Sequence, residues 1–281
     1  MRYRRSIGAL ALAACLCWSS AGARAFDDNK YPDLSGGQWL RTDVGTPRYD
    51  PSKPAGRGQQ APLIPEYQAI FEANLAELAA GGETYNPQLK CIPGGMPRMM
   101  IAYDPIQVII TPEITYIWVH QMGEFRRIYT DGRGWPENPK PAFRGYSIGR
   151  WEDEDGDGRY DALVVETRNI KGPRTFDADG LPLHRDNQTI VKERIYLDKA
   201  NRNVLHDDIT TFDHALTRPW TVMRTYRREP NPIWPEDICS EDNHHVDIGK
   251  ESYFVSHDGY LMPTGKDQPA PDLRYFRQPQ K

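Results

Sequence analysis

Downstream of Cys91 the chain breaks into short runs rich in β-branched and aromatic residues, with turn-forming residues between them and no helical pattern separating them. No other feature of the sequence limits the fold so strongly. Strands are expected over 98–103, 107–111, 114–120, 124–130, 146–151, 162–168, 189–197, 204–212 and 220–227. Links such as Asp104-Pro105, Thr111-Pro112-Glu113 and Met122-Gly123 are hairpin-short. A parallel sheet needs helical crossovers, which are missing here. The expected fold is therefore mainly β, an antiparallel up-and-down (lipocalin-like) barrel with one N-terminal helix and coil-rich termini. The helix is expected over 65–80, opened by Pro65 and Glu66 and stopped by Gly81-Gly82. Tyr67, Ile70, Phe71, Leu75 and Leu78 would form its apolar stripe.

The first residues point to a compartment. Arg2, Arg4 and Arg5 precede a short apolar run from Ile7 to Trp18, and Ala23-Arg24-Ala25 is an A-x-A cleavage signal. The expectation is a secretory signal over 1–25, a mature chain from Phe26, and a periplasmic or secreted protein. A rival reading takes Leu12-Ala13-Ala14-Cys15 as a lipobox, leaving a lipid anchor at Cys15. No later run reaches the ~20 apolar residues of a membrane span. Residues 26–63 read as a coil-rich leader and 64–281 as one β-barrel-like domain with a coil-rich tail. Removing Arg2, Arg4, Arg5 and Arg24 from 35 basic residues leaves 31 against 39 acidic, a net charge of −8. So acidic a protein lacks the electrostatic footprint of a nucleic-acid binder. Cys91 and Cys239 are the only cysteines outside the signal. A disulfide is the simplest reading in an oxidising compartment, with two buried thiols as the alternative.

The most specific chemical signal is the acidic turn between the strands at 146–151 and 162–168. Counted from Asp153, carboxylates fall at positions 1, 3, 5 and 9 (Asp153, Asp155, Asp157, Asp161), Gly158 at 6, and the Arg159 carbonyl at 7. Calcium takes six to eight hard oxygens, and this spacing wraps them about one point. An EF-hand would place glutamate at position 12, where this chain has Val164. The loop instead resembles the D-x-D-G-D-G-x-x-D calcium loops that join two strands in extracellular β proteins. A structural Ca²⁺ is expected; a solvated acidic hairpin turn is the alternative.

The pieces "RRIYTDGR", "GYSIGRWE", "LVVET", "ERIYLD", "RPWT" and "CSEDN", with "CIPGGMPRMM" upstream, occur in this order along the chain. Together they resemble an uncharacterised family of secreted bacterial β-rich proteins. Members of that family have a short turn between the Trp-Glu pair and "LVV", so the aspartate loop would be a local elaboration. The resemblance brings no activity with it.

Three of the charges inside the expected strands alternate with apolar residues. Glu193 alternates with Val191, Ile195 and Leu197; Arg224 with Trp220, Val222 and Tyr226; and Arg127 sits between Phe125 and Tyr129. Side chains alternate faces, so each charge is expected on an apolar face, where it needs a partner. Two cations facing one anion would leave a positive surplus for an anionic or amphipathic small molecule. Arg127, Tyr129, Glu193, Trp220, Arg224 and Tyr226 are the expected ligand-binding residues in the lumen. The alternative is an ion pair that only fixes register. His206 shares a face with Asp208, and with Glu193 these are the candidates for acid–base catalysis. Three classes stay open: a small-molecule-binding barrel, a hydrolase or isomerase on the same barrel, and a structural or envelope-interaction protein. An enclosed lumen would mark the first, a converging acid and base the second, and a filled lumen with an exposed apolar patch the third.

Overall fold

The computed structural model describes residues 26–35, 37–42, 61–83, 85–101, 105–172, 174–231, 233–234, 237–239, 244–256 and 258–272. The expected signal sequence, the lipobox with Cys15 and much of the leader lie outside the described residues. The fold is mainly β, as expected, and its centre is a closed mixed barrel of nine strands. In chain order these are β1 (Gln38–Arg41), β2 (Ile106–Ile110), β3 (Ile114–Val119), β4 (Glu124–Tyr129), β5 (Tyr146–Glu152), β6 (Ala162–Arg168), β7 (Ile190–Leu197), β8 (Val204–Phe212) and β9 (Trp220–Glu229). Each pairs with the next, and β1 closes the ring against β9 through Leu40 opposite Arg227.

Four expectations are corrected. The pairing is not wholly antiparallel: β4 and β5 run parallel, with Ile128 beside Ser147 and Tyr129 beside Ile148. Residues 130–145 return the chain to the start of β5, and a connection of that length is what a parallel crossover requires, helical or not. The leader supplies β1, too short for its pattern to show in a Pro- and Gly-rich stretch. The expected strand at 98–103 begins instead with a 3₁₀ turn, Arg98–Ile101, whose side chains are all buried. The tail forms a three-stranded sheet, β10 (His245–Ile248), β11 (Glu251–Val255) and β12 (Leu261–Pro263).

Helix α1 (Pro65–Ala79) forms where expected. Only Tyr67 and Phe71 of its stripe are buried, Leu75 is partly packed, and Ile70 and Leu78 are exposed. Bound to the rest through Asn74 Nδ2 and the Gly180 carbonyl at 2.7 Å, it packs one face only.

Strict alternation fills the barrel. In β8, Leu205, Asp207, Ile209 and Thr211 are buried, while His206, Asp208 and Thr210 lie on the other face. At the parallel seam a Cβ on Gly149 would come within 2.6 Å of Ile128, so only glycine lets β4 and β5 close over that side chain. Residues 96–101 join the core: Tyr226 Oη donates to the Met100 carbonyl at 2.5 Å, and Arg98 Nη1 donates to Thr175 Oγ1 at 2.6 Å.

Cys91 and Cys239 are bridged, with Cα atoms 5.6 Å apart, and Lys90–Asp247 (2.6 Å) and His245–Glu83 (2.7 Å) tie the tail sheet to the same region. A bridge closing a loop of this length stabilises a domain by about 2–5 kcal/mol. Thiol titration of denatured, unreduced protein lacking residues 1–25 should find no free cysteine, and Cys91→Ser/Cys239→Ser should lower stability by about that amount. Two free thiols would refute the bridge.

Candidate functional site

A polar belt crosses the barrel interior, one residue from each of six consecutive strands: Arg126 (β4), Ser147 (β5), Thr167 (β6), Glu193 (β7), Asp207 (β8) and Arg224 (β9), all at most 2 % exposed. Arg126 is its centre. Its Nη1 and Nη2 donate to Glu193 Oε1 and Oε2 at 2.8 and 2.5 Å, Nε to Ser147 Oγ at 3.1 Å, and Nη2 also to Thr167 Oγ1 at 2.7 Å. Such a two-pronged pair spends the fork geometry of the guanidinium in full. Asp207 lies directly opposite Arg224 in the β8–β9 register. Among the described residues, neither carboxylate oxygen of Asp207 has a hydrogen-bond partner. Burial, then the nearby charge of Glu193, pushes its pKa well above the usual carboxylate range, against Arg126 and Arg224.

The expected lumen site is therefore redrawn. Glu193, Trp220, Arg224 and Tyr226 do face inward and are buried. Arg127 and Tyr129 do not: inward positions on β4 belong to Glu124, Arg126 and Ile128, and the Phe125–Arg127–Tyr129 face points out. There Arg127 and Arg144 lie over the Phe125 ring at 5.3 and 5.1 Å, and Tyr129 stacks on Tyr146 at 5.0 Å. The aromatic pattern concealed the inward arginine. Choosing Ile128 as the inward residue would have found Arg126, and reading Leu205 and Ile209 as core would have found Asp207. The belt therefore sets two arginines against two acids, with burial biasing Asp207 toward its neutral form.

The catalytic candidates do not converge. Glu193 is inside, whereas His206 and Asp208 are half-buried on the outer face. His206 Nδ1 lies 3.2 Å from Thr225 Oγ1 and Nε2 lies 3.4 Å from Asp198 Oδ2, so Asp208 does not orient it. Burial pushes the Asp208 carboxyl up, opposed by Arg194 and His206.

The acidic loop is the β5–β6 hairpin, and it is tightly wound. Asp153 Oδ1 and Oδ2 accept from the Gly156 and Gly158 amides at 2.8 and 2.9 Å, and Asp161 Oδ2 accepts from the Glu154 amide at 2.8 Å. Gly158 adopts φ +88°, as its place in the pattern requires. Asp153, Asp155 and Asp161 each bring an oxygen within 4.8 Å of the other two. Asp157 lies outside that group and accepts from the Arg159 amide at 2.8 Å. Glu154 receives Arg194 of β7 at 2.5 Å, fixing the hairpin to the wall. Beside the loop lies a cleft of about 540 Å³, bounded by Pro32 and Asp33, by the loop's Asp155, Asp157 and Asp161, and by Arg202 and Arg228.

No protein-family model matches the chain, and no curated protein is significantly similar to it.

Glu193→Ala should cost about 3–5 kcal/mol in chemical denaturation, because Arg126 would remain buried without its anion. A loss under about 1 kcal/mol would show that the pair is not a structural keystone. Asp207 gives a pH signature. Its folded-state pKa is raised, so its stabilising share is present below the unfolded value near ~4 and is lost as pH rises toward the folded one. Asp207→Asn should flatten the fall in stability above about pH 4. An unchanged slope would place the proton elsewhere.

Proposed function

We propose that the protein is a small-molecule-binding barrel whose ligand lies outside the lumen, in the cleft beside the acidic loop, with a structural calcium ion shaping one wall. The observation that carries this reading is the shared lining: Asp155, Asp157 and Asp161 border the same 540 Å³ space as Arg202 and Arg228. Calcium held by Asp153, Asp155, Asp161 and backbone carbonyls keeps coordination positions for water or for ligand oxygens. An arginine across the cleft then favours a ligand carrying a carboxylate among hydroxyls. The A-x-A signal and the Cys91–Cys239 bridge support a periplasmic or secreted setting, where calcium is abundant.

Calorimetry on chelator-treated protein should give one calcium per chain with a Kd of about 10⁻⁴–10⁻³ M, and Asp155→Ala should abolish it. With calcium present, D-glucuronate should bind, and Arg202→Ala or calcium removal should weaken it at least about tenfold, the loss of one charged contact. No heat with millimolar calcium rejects the ion; glucuronate binding indifferent to Arg202→Ala rejects the cleft.

The outward aromatics favour a second reading, an interaction protein. Ile109, Trp118 and Phe125 are each about 40 % exposed on the outer face of β2–β4, and Trp118 packs on Trp234 at 4.7 Å. Arg127 and Arg144 frame Phe125, which suits a protein surface bearing carboxylates among apolar groups.

A further inference from the structure

At the end of the barrel opposite the acidic loop, two imidazoles meet one carboxylate. His184 and Asp186 sit in the connection that leads into β7, and His214 in the turn between β8 and β9. His184 Nδ1 lies 2.9 Å and His214 Nδ1 2.5 Å from the same atom, Asp186 Oδ2. Ligand atoms of all three residues fall within 4.8 Å of one another. We propose that His184, Asp186 and His214 bind a first-row divalent transition metal, zinc in particular, in an open three-ligand site.

The surroundings hold these side chains in place. Asp186 Oδ1 accepts from the Gln188 amide at 3.0 Å, which turns Oδ2 toward the imidazoles. Asp213 lashes the two segments together: its Oδ1 accepts from the His184 and Ala215 amides, both at 2.8 Å, and its Oδ2 from the Thr189 hydroxyl. Beneath them Arg174 lies 4.0 Å from Asp213 and bonds Thr189. The His184 ring leans on Tyr67 of α1, centroids 5.5 Å apart, and meets the His214 ring edge-on at 5.6 Å. Backbone and carboxylate partners that fix ligand orientation are the usual outer layer of a metal site.

A plain His–Asp–His hydrogen-bond cluster explains this arrangement less well. Nδ1 of His184 is enclosed, and its 2.9 Å approach to Asp186 Oδ2 is poorly aligned for a hydrogen bond. A cation between the atoms needs proximity without that directionality. A centre 2.0–2.1 Å from each ligand needs ligand atoms roughly 3.3 Å apart. The two nitrogen–oxygen approaches, at 2.9 and 2.5 Å, must each open by less than about 1 Å to admit it. Asp186 supplies the anionic ligand, and Asp213 faces Arg174 beneath it. Two nitrogens and one oxygen select zinc and its neighbours over calcium or magnesium. The solvent-facing side of His214 leaves a fourth position for water.

The test uses untagged, chelator-treated protein titrated with zinc against a chromophoric chelator at neutral pH. One equivalent should bind, and cobalt(II) should give the visible d–d absorption of a four-coordinate site. His214→Ala and His184→Ala should each weaken zinc at least about tenfold, a conservative figure since loss of an outer partner alone costs that much. His214 is exposed, so its variant folds even if His184→Ala does not. Asp155→Ala, in the acidic loop at the other end, should leave zinc stoichiometry unchanged. Absence of saturable binding, or binding undiminished in His214→Ala, overturns the proposal.

Discussion

The pair of Arg126 and Glu193 is the constraint on which the barrel depends. The two residues come from β4 and β7, strands separated in the sheet by β5 and β6, so their contact runs across the interior. Ser147 and Thr167 on those intervening strands, 2.8 Å apart, complete the shell. A one-residue slip of β4 would turn Phe125 inward and Arg126 outward, stranding Glu193 in the core. Apolar packing alone would tolerate several registers; a buried charge with one matching partner does not. The same belt crosses the interior from β4 to β9 with every member buried.

The parallel seam is the second organising device. Because β5 runs with β4, residues 130–145 have to cross outside the barrel, and they carry aromatic and basic side chains to the β4–β5 face. Arg133, bound to Asp131 at 2.6 Å, lies over Tyr129, and Arg168 lies over Trp135. Gly149 and Gly145 allow the close approach that this crossing requires; a Cβ on Gly145, at φ +63°, would strike the Arg168 carbonyl. Thus the loop that breaks the up-and-down order also covers part of the surface that the break exposes.

Chemistry collects at the two ends, where loops leave a fixed scaffold. At one end Asp153 and Asp161 hold backbone amides of their own hairpin; at the other Asp213 holds amides of two different segments. In both places carboxylate-to-amide bonds do the work that regular strand pairing does elsewhere, which keeps charged side chains in fixed positions near solvent.

The sequence by itself determined the strands. From β2 onward, alternation of side chains and turn residues placed all the barrel strands within a residue or two at each end, along with α1, the acidic hairpin and the cysteine pair. The strands, helix and hairpin are local, each depending on residues within a few positions of one another; the cysteine pair, 148 residues apart, was legible because no other cysteine lies outside residues 1–25. Tertiary structure alone decided three things. It set the direction of β5, because a loop of 16 residues permits either sense. It added β1, a strand of four residues whose pairing with β9 joins Gln38 to Glu229, about two thirds of the chain length apart. Above all it decided which face of β4 is buried. Phe125 and Tyr129 made one face look like the core by hydrophobicity, yet Arg126 took the interior, because its charge is matched there by a glutamate 67 residues away. A period of two says that faces alternate; only the partners across the lumen say which face is inside.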